Sequence, residues 1–272
     1  MIGASREALE GGRERLNVLC DSTATDPAAL ADDLAAVTVL LNREVSLRRV
    51  LTDPAQPGEG KADLVGRLLG GQVGGPAVDL VSGLVRSRWS SSRDLVDAVE
   101  ELADTADLIA AERAGTLEAV EDELFRFGRI LSATPELRSA LTTKDDRSTT
   151  AKKELVRRLL GGRADRITER LIVRLVERPR GRSLDQGIEA LSALAAARRD
   201  RSVAVVTSAV PLSDAQRDRL GRALAKLYGR QVQLNLDVDP AVLGGISVRI
   251  GDEVIHGTVA DRLDEVTRRL AG

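Results

Sequence analysis

Apolar side chains recur every three or four residues along the first part of the chain, which is the spacing of amphipathic helices. The clearest case is the stretch from about 93 to 113, where Leu95, Val99, Leu102, Ala106 and Ile109 follow this spacing. Pro and Gly residues separate the segments. The pattern predicts helices at about 4–20, 26–42, 61–69, 76–88, 93–113, 116–133, 135–141, 148–160, 164–178 and 183–199.

Part of this pattern occurs twice. The string LVGRLLGG at 64–71 returns as LVRRLLGG at 155–162, and other apolar and arginine positions align at a shift of ninety or ninety-one, among them Leu34 with Leu124, Leu51 with Leu141 and Leu84 with Leu175. A chain that is merely rich in Leu, Arg and Gly would not keep this order over successive blocks. We therefore expect two copies of one helical bundle, which share or abut on the continuous helix at 93–113.

After Arg201 the pattern changes to that of strands and turns. Residues 203–206 are short and β-branched, and residues 232–238 alternate apolar and polar side chains. Between them, Ser213 and Gln216 form a capping-box signal for a helix that ends near 228. A turn at 251–253 separates two further strands, and a last helix begins near Val259 and buries Leu263, Val266 and Leu270.

The expected fold is therefore mainly α. It consists of two tandem helical bundles, residues 1–104 and 105–200, followed by a small β-α-β-β-α domain at 201–272. A chain of 272 residues is long enough for two or three small domains of this kind.

Composition narrows the class of protein. Hydrophobic residues are 43% and charged residues 30% of the chain, as in a soluble globular protein, and aromatic residues are only 1%. The formal net charge of -2 gives no basic field for nucleic acid, and the basic runs at 178–182 and 198–201 are interpreted as solvated loops or helix ends. A single cysteine rules out a disulfide framework, and no apolar stretch is long enough to be a membrane span or a signal core.

Candidate catalytic chemistry is sparse. His256 is the only histidine and has no nucleophile or orienting carboxylate at recognisable spacing. The glycine-rich stretch at 58–62 lacks the spacing, the hydroxyl and the preceding strand of a phosphate loop. Asp237, Asp239 and Asp252 are explained by strand alternation and turns. We expect no catalytic residue, no cofactor and no metal.

Several spaced motifs resemble one family. They are PELRSAL at 135–141, the stretch 171–177, VTSA at 206–209 followed by PLS at 211–213, GRQV at 229–232, DPAVLGGI at 239–246 and IGDEVIHGT at 250–258. In this order they are similar to the delta subunit of F-type ATP synthases, the relative of the oligomycin-sensitivity-conferring protein. The resemblance covers about 105 to the end.

Two features depart from that family. The family usually carries Asp-Gly-Ser near the last strand, where this chain has His256-Gly257-Thr258. Residues 1–104 are an extra copy of the helical domain. The first departure puts a charge role at that strand in doubt, and the second leaves the role of the extra copy open.

The resemblance implies a non-catalytic subunit of the peripheral stalk. It implies contacts with the amino-terminal helices of the alpha subunits and the carboxy-terminal region of the b subunits, at the cytoplasmic face of the cell membrane and without direct membrane insertion. By analogy, partner helices contact the faces between the first and fifth helices of each bundle, about 4–20 with 76–88 and 103–114 with 165–178. The expected contact residues, some of them on the last helix, are Leu84, Ile109, Leu171, Leu175, Leu263, Val266 and Leu270.

The residues alone leave a second function open. A free α-helical scaffold or adaptor could use the duplicated bundle to bind unrelated amphipathic helices. Recovery of alpha and b subunits with the chain would favour the stalk, and their absence would favour the adaptor.

Overall fold

The structure, a computed structural model, describes residues 1, 3–143, 148–201, 203–228, 232–239, 245–250 and 253–258. The chain before Arg201 folds into helices, as the apolar spacing predicts, and includes one helix at 45–52 that the predicted bounds omit. Their bounds are α1 (Ala4–Asp21), α2 (Pro27–Arg43), α3 (Val45–Thr52), α4 (Gly58–Leu69), α5 (Gly75–Arg86), α6 (Ser92–Ala114), α7 (Leu117–Ala133), α8 (Pro135–Thr142), α9 (Ser148–Leu160), α10 (Arg166–Glu177) and α11 (Leu184–Arg201).

The helices confirm the internal repeat. Helices α2 and α3 return as α7 and α8 ninety positions later, and α5 returns as α10 ninety-one positions later. The repeated Gly-Gly pair ends α4 and α9 in the same way: Gly71 has a φ of 75° and Gly162 a φ of 70°, a left-handed conformation that glycine adopts without a Cβ clash. The same correspondence pairs α1 with α6 and α6 with α11, so α6 has a place in both copies.

Two hydrophobic cores lie on either side of α6. The core of the first repeat takes Leu95, Val99, Leu102, Ala106 and Ile109 from this helix. The core of the second repeat takes Leu108 and Ala111, which lie on the other side. One helix of 23 residues, begun at the cap Ser91 and ended by Gly115 with a φ of 73°, therefore joins the two bundles without a linker.

Close packing within the first bundle depends on Gly12 of α1. A Cβ built at Gly12 would lie 2.7 Å from Leu84 Cδ2 and 3.2 Å from Leu102 Cδ1, whereas one at the neighbouring Gly11 meets nothing within 4 Å. We expect Gly12→Ala to lower the free energy of unfolding by about 1–2 kcal/mol, because overpacking outweighs the gain in helix propensity. Gly11→Ala is the matched control and should raise it by about 0.5–1 kcal/mol. Urea denaturation of both variants measures the difference, and equal effects would contradict the packing argument.

The remaining described residues form β1 (Val203–Ser208), α12 (Asp214–Tyr228), β2 (Gln233–Val238), β3 (Gly245–Ile250) and β4 (Glu253–Thr258). The sheet order is β2-β1-β3-β4, with β1 and β2 parallel and the other pairs antiparallel. Val206, Val248 and Ile250 lie on the apolar face, where Leu224 of α12 joins the same core. The structure has four strands here, one more than the expected β-α-β-β-α arrangement. The expected last helix lies outside the described residues.

The chain divides into two compact units, Met1–Ala195 and Ala196–Gly272. The first repeat and the second repeat up to Ala195 of α11 belong to the first unit, and the expected boundary between residues 104 and 105 falls inside α6. The division into three domains stays a prediction. Among the described residues, no helix has the length and apolar character needed to cross a membrane.

Candidate functional site

Helix α6 presents a second, acidic face. Asp97, Glu100, Asp104 and Asp107 recur at intervals of three, four and three residues, on the side of the helix opposite its apolar stripe. Four arginines that follow the first repeat in the chain meet this row. We call the whole set the arginine–carboxylate seam, and it comprises Asp32, Asp97, Glu100, Asp104, Asp107, Arg170, Arg174, Arg180 and Arg182.

Arg174 of α10 lies at the centre of the seam. It donates from Nη1 to Asp104 Oδ1 at 2.6 Å and from Nη2 to Asp107 Oδ2 at 2.7 Å. The side chains of Arg174 and Asp104 are 11% and 13% exposed, and that of Asp107 is fully buried. Charge-assisted bonds of this length, away from water, hold α10 against α6 in one orientation.

Arg170, one turn earlier on α10, extends the seam to the first repeat. It donates from Nη2 to Asp32 Oδ1 at 2.7 Å and from Nη1 to Asp32 Oδ2 at 3.2 Å, a bidentate pair with α2. Its Nη2 also lies 3.0 Å from Asp107 Oδ1. The guanidinium of Arg170 therefore contacts both α6, which the two bundles share, and α2, which belongs only to the first bundle.

The loop between α10 and α11 supplies two arginines at the other end of the seam. Arg180 has a φ of 52°. Among the described residues, it is the one non-glycine residue with a positive φ. Its guanidinium pairs with Asp97 and Glu100 and donates to the carbonyl oxygen of Val96 at 3.3 Å, while its side chain is only 5% exposed. Arg182 adds a bond to Glu100 at 3.0 Å. A left-handed arginine costs conformational energy, so the buried contacts of its side chain must offset that cost.

The interpretation of the basic runs as solvated loops is wrong for two residues. Arg180 is buried in the seam, and Arg198 of the second run is also buried. Burial of a loop arginine depends on tertiary contacts with carboxylates of another helix. A local run of charged residues does not show where those carboxylates lie. The sequence shows four acidic residues on one helical face and, later, two arginines four residues apart, but nothing in it pairs the two groups.

Burial changes the protonation of this cluster. It raises the pKa of Asp104 to about 7, against the opposing effect of Arg174 and with a smaller contribution from Glu100 in the same direction. Burial also raises the pKa of Asp107. At Arg174 burial acts to lower the pKa, but Asp104 and Asp107 raise it overall, so the guanidinium stays charged. Burial is the main cause of the raised pKa of Asp104, and the neighbouring carboxylates of Glu100 and Asp107 raise it further.

This arrangement predicts a pH dependence of stability. The pKa of Asp104 is about 7 in the folded chain and 3.8 as a reference, so the folded state binds the proton more tightly. The resulting contribution to stability is fully present below pH about 4 and is lost as the pH rises through about 7. One such group gives a slope of at most about 1.4 kcal/mol per pH unit.

Urea denaturation of the wild type and of Asp104→Asn across this range measures the effect. The wild-type free energy of unfolding, relative to that of the variant, should fall as the pH rises. Asp122→Asn, at a half-exposed position of α7, is the control and should leave the pH profile as it is. A constant difference between wild type and Asp104→Asn would mean that Asp104 does not hold the proton.

The expected partner contacts fall into two groups. Leu84 and Ile109 are buried in the first core, and Leu171 and Leu175 are buried in the second. These side chains support the helices of the expected faces, and their contact with a partner stays a prediction. Leu263, Val266 and Leu270 lie outside the described residues.

The face between α1 and α5 in the first repeat differs from the seam. Arg15 of α1 donates to Asp79 of α5 from Nε at 2.9 Å and from Nη2 at 2.7 Å. These two side chains are 53% and 40% exposed, and Val18 of α1 is 69% exposed. The α1–α5 face is therefore open to solvent.

The other candidate positions have structural roles where they are described. Residues 58–62 form the first turns of α4, Cys20 is buried, and Asp237 is exposed on β2. The side chain of His256 and residue Asp252 lie outside the described part. Within the described part, no group of three or more His, Cys, Asp or Glu residues is placed to hold a metal ion.

Comparison with known proteins gives a consistent result. Residues 105–270 match the family model described as ATP synthase delta (OSCP) subunit. The chain is similar to "ATP synthase subunit delta" of Streptomyces griseus, with 71% identity over 272 residues and all of both chains covered. It is also similar to the protein of the same name from Streptomyces avermitilis, at 68% identity over 99% of this chain and 98% of the other, and from Thermobifida fusca, at 48% identity over all of both chains. These relatives also align with the first repeat, which the family model does not include.

Among solved structures, a chain of "Cryo-EM structure of Toxoplasma gondii mitochondrial ATP synthase hexamer, composite model" is similar at 21% identity and a TM-score of 0.35. The match covers 62% of this chain and 95% of the other.

Proposed function

The chain belongs to the ATP synthase delta (OSCP) subunit family, and from this premise we propose that it links the alpha subunits of the catalytic head to the b subunits. It is a structural subunit of the peripheral stalk and not an enzyme. The stalk keeps the head static while the shaft rotates, so that rotation drives ATP synthesis. A static link of this kind has to transmit torque without bending.

The shared helix and the seam, which is buried at its centre, support this proposal. Helix α6 has 23 residues and runs through both repeats, a continuous length of about 34 Å at the usual rise per residue. A helix is a stiffer connection than a flexible linker of the same length. The seam adds contacts on one side of α6 and the apolar stripe adds them on the other, so the two repeats resist rotation about this helix.

The partners follow from the same proposal. Amino-terminal helices of the alpha subunits contact the helical repeats at a face between a first and a fifth helix, α1 with α5 or α6 with α10. The carboxy-terminal region of b contacts the small carboxy-terminal domain. The chain then lies at the cytoplasmic face of the cell membrane and reaches the membrane only through the complex. Nucleic acid has no part in this function.

Affinity purification from detergent-solubilised membranes tests the proposal. An affinity-tagged full-length chain, expressed in its own host in place of the untagged one, should recover the alpha and b subunits in defined stoichiometry. Membranes with the untagged chain are the control. Recovery of neither subunit would overturn the stalk assignment and favour the free helical adaptor.

A further inference from the structure

The internal repeat makes two faces of the first unit directly comparable. The α1–α5 face of the first repeat corresponds to the α6–α10 face of the second, and their residues align at a shift of ninety or ninety-one. On the fifth helix Gly83 corresponds to Arg174, and Asp79 corresponds to Arg170. The two faces therefore carry different chemistry at equivalent positions.

In the second repeat this face is filled by the chain itself. Arg174 spans it to reach Asp104 and Asp107, and all three side chains are largely buried. Arg170 reaches beyond α6 to Asp32 of α2, so a helix of the first repeat contacts one end of the face. A partner helix with an apolar side would have to separate buried ion pairs and leave their charges without compensation, which is unfavourable.

In the first repeat the two equivalent positions, Gly83 and Asp79, carry no buried ion pair. A Cβ at Gly83 would have Arg15 Cδ as its nearest neighbour, at 3.7 Å, where the second repeat has a buried guanidinium. The Arg15–Asp79 pair is exposed, and such pairs contribute little and separate at low cost. Among the described residues, this exposed pair is the counterpart of the buried pairs that Arg174 forms on the other face.

We infer that the arginine–carboxylate seam is a permanent joint between the two repeats, which closes the α6–α10 face to partner helices. If the proposed function holds, this inference has a consequence for the partner. Only the α1–α5 face of the first repeat, and not the α6–α10 face, receives an amino-terminal helix of an alpha subunit. The duplication then separates two tasks, because one face holds the repeats together while its counterpart meets the partner.

A first experiment needs no partner. Hydrogen exchange of the full chain, read by mass spectrometry, should show that amides of α10 (Arg166–Glu177) exchange as slowly as those of α6, because a permanent joint opens only when the unit unfolds. Arg174→Gln should make α10 exchange about tenfold faster or more, and Arg166→Gln, at an exposed position of the same helix, should not. Fast exchange of α10 in the wild type would overturn the inference.

A second experiment uses a synthetic peptide with the amino-terminal sequence of the alpha subunit from the same complex. We expect one peptide per chain by native mass spectrometry, with slower exchange in α1 and α5 and no change in α10. Slower exchange in α10, or two peptides per chain, would overturn the inference. Failure of the peptide to bind at all would count against the alpha contact of the proposed function, and the exchange rates of the free chain would still decide whether the joint is permanent.

A variant that removes the seam completes the test. Arg170→Asp combined with Arg174→Gly gives the second face the residues of the first, and circular dichroism checks that the variant stays helical. This variant should bind a second peptide if the seam is what closes the face. A variant that loses its helical signal is replaced by Arg174→Gln, for which slower exchange of α10 on peptide binding is the expected result. Failure of a folded variant to gain peptide contacts at α10 would overturn the inference.

Discussion

Arg174→Met is expected to lower the free energy of unfolding by about 3–5 kcal/mol. The substitution keeps an unbranched apolar stem but leaves Asp104 and Asp107 buried without their guanidinium. Burial already raises the pKa of Asp104 to about 7, so protonation can relieve part of the cost at low pH. The loss should therefore be larger at pH about 8 than at pH about 6.

Urea denaturation, followed by far-ultraviolet circular dichroism at both pH values, measures this effect. Arg166→Met is the control, since Arg166 lies at the exposed start of the same helix, and it should change stability by less than about 0.5 kcal/mol. Adding Asp104→Leu and Asp107→Leu to Arg174→Met should recover most of the loss, because buried ion pairs can be replaced by apolar groups of similar volume. A loss below about 1 kcal/mol for Arg174→Met alone would contradict the view that the seam carries buried charge.

Leu175→Ala is expected to cost about 2–5 kcal/mol, through lost burial and the cavity that remains. Leu175 is buried in the second core, and its side chain fills the space above Gly187 of α11. A Cβ at Gly187 would lie 2.2 Å from Leu175 Cδ1, so the two helices approach closely at this point. Neither partner can shift easily to fill the cavity.

The same denaturation measurement applies to Leu175→Ala. Leu159→Ala, in the same repeat but on an exposed part of α9, is the matched control and should cost less than about 1 kcal/mol. Equal losses for the two variants would mean that Leu175 does not pack into the core. A loss below about 1 kcal/mol at Leu175 would lead to the same conclusion.

The sequence predicted the fold where local patterns determine it. Apolar spacing located the helices except α3, the Gly-Gly pairs located two helix ends, and alternation located β2 at nearly its observed bounds. The repeat also predicted the shared helix. The second copy needs an equivalent of α1, and the residues available for it are those of the helix that closes the first bundle. Each of these features depends on residues that are close together in the sequence.

The seam could not be predicted in the same way. Acidic residues on a helical face indicate solvent when the helix is considered alone, so Asp104 and Asp107 gave no sign of burial. Their partners lie about seventy residues later in α10, and Arg180 lies in a loop whose left-handed conformation has no local sequence signature beyond the following Gly181. Only the tertiary arrangement brings these charges together.

The double use of α6 has a consequence for the length of such chains. Because one helix ends the first bundle and begins the second, the repeat period is shorter than a bundle, and each added copy contributes one helix fewer than a free-standing bundle would need. The arrangement grows as a solenoid does, by reusing the last element of the existing array. A chain trimmed to begin at α6 would keep the second core but turn Leu95, Val99, Leu102, Ala106 and Ile109 into an exposed apolar stripe, a surface that favours aggregation. Family members with a single bundle are therefore expected to carry polar side chains at the positions of Ala106 and Ile109, the two that the family model includes.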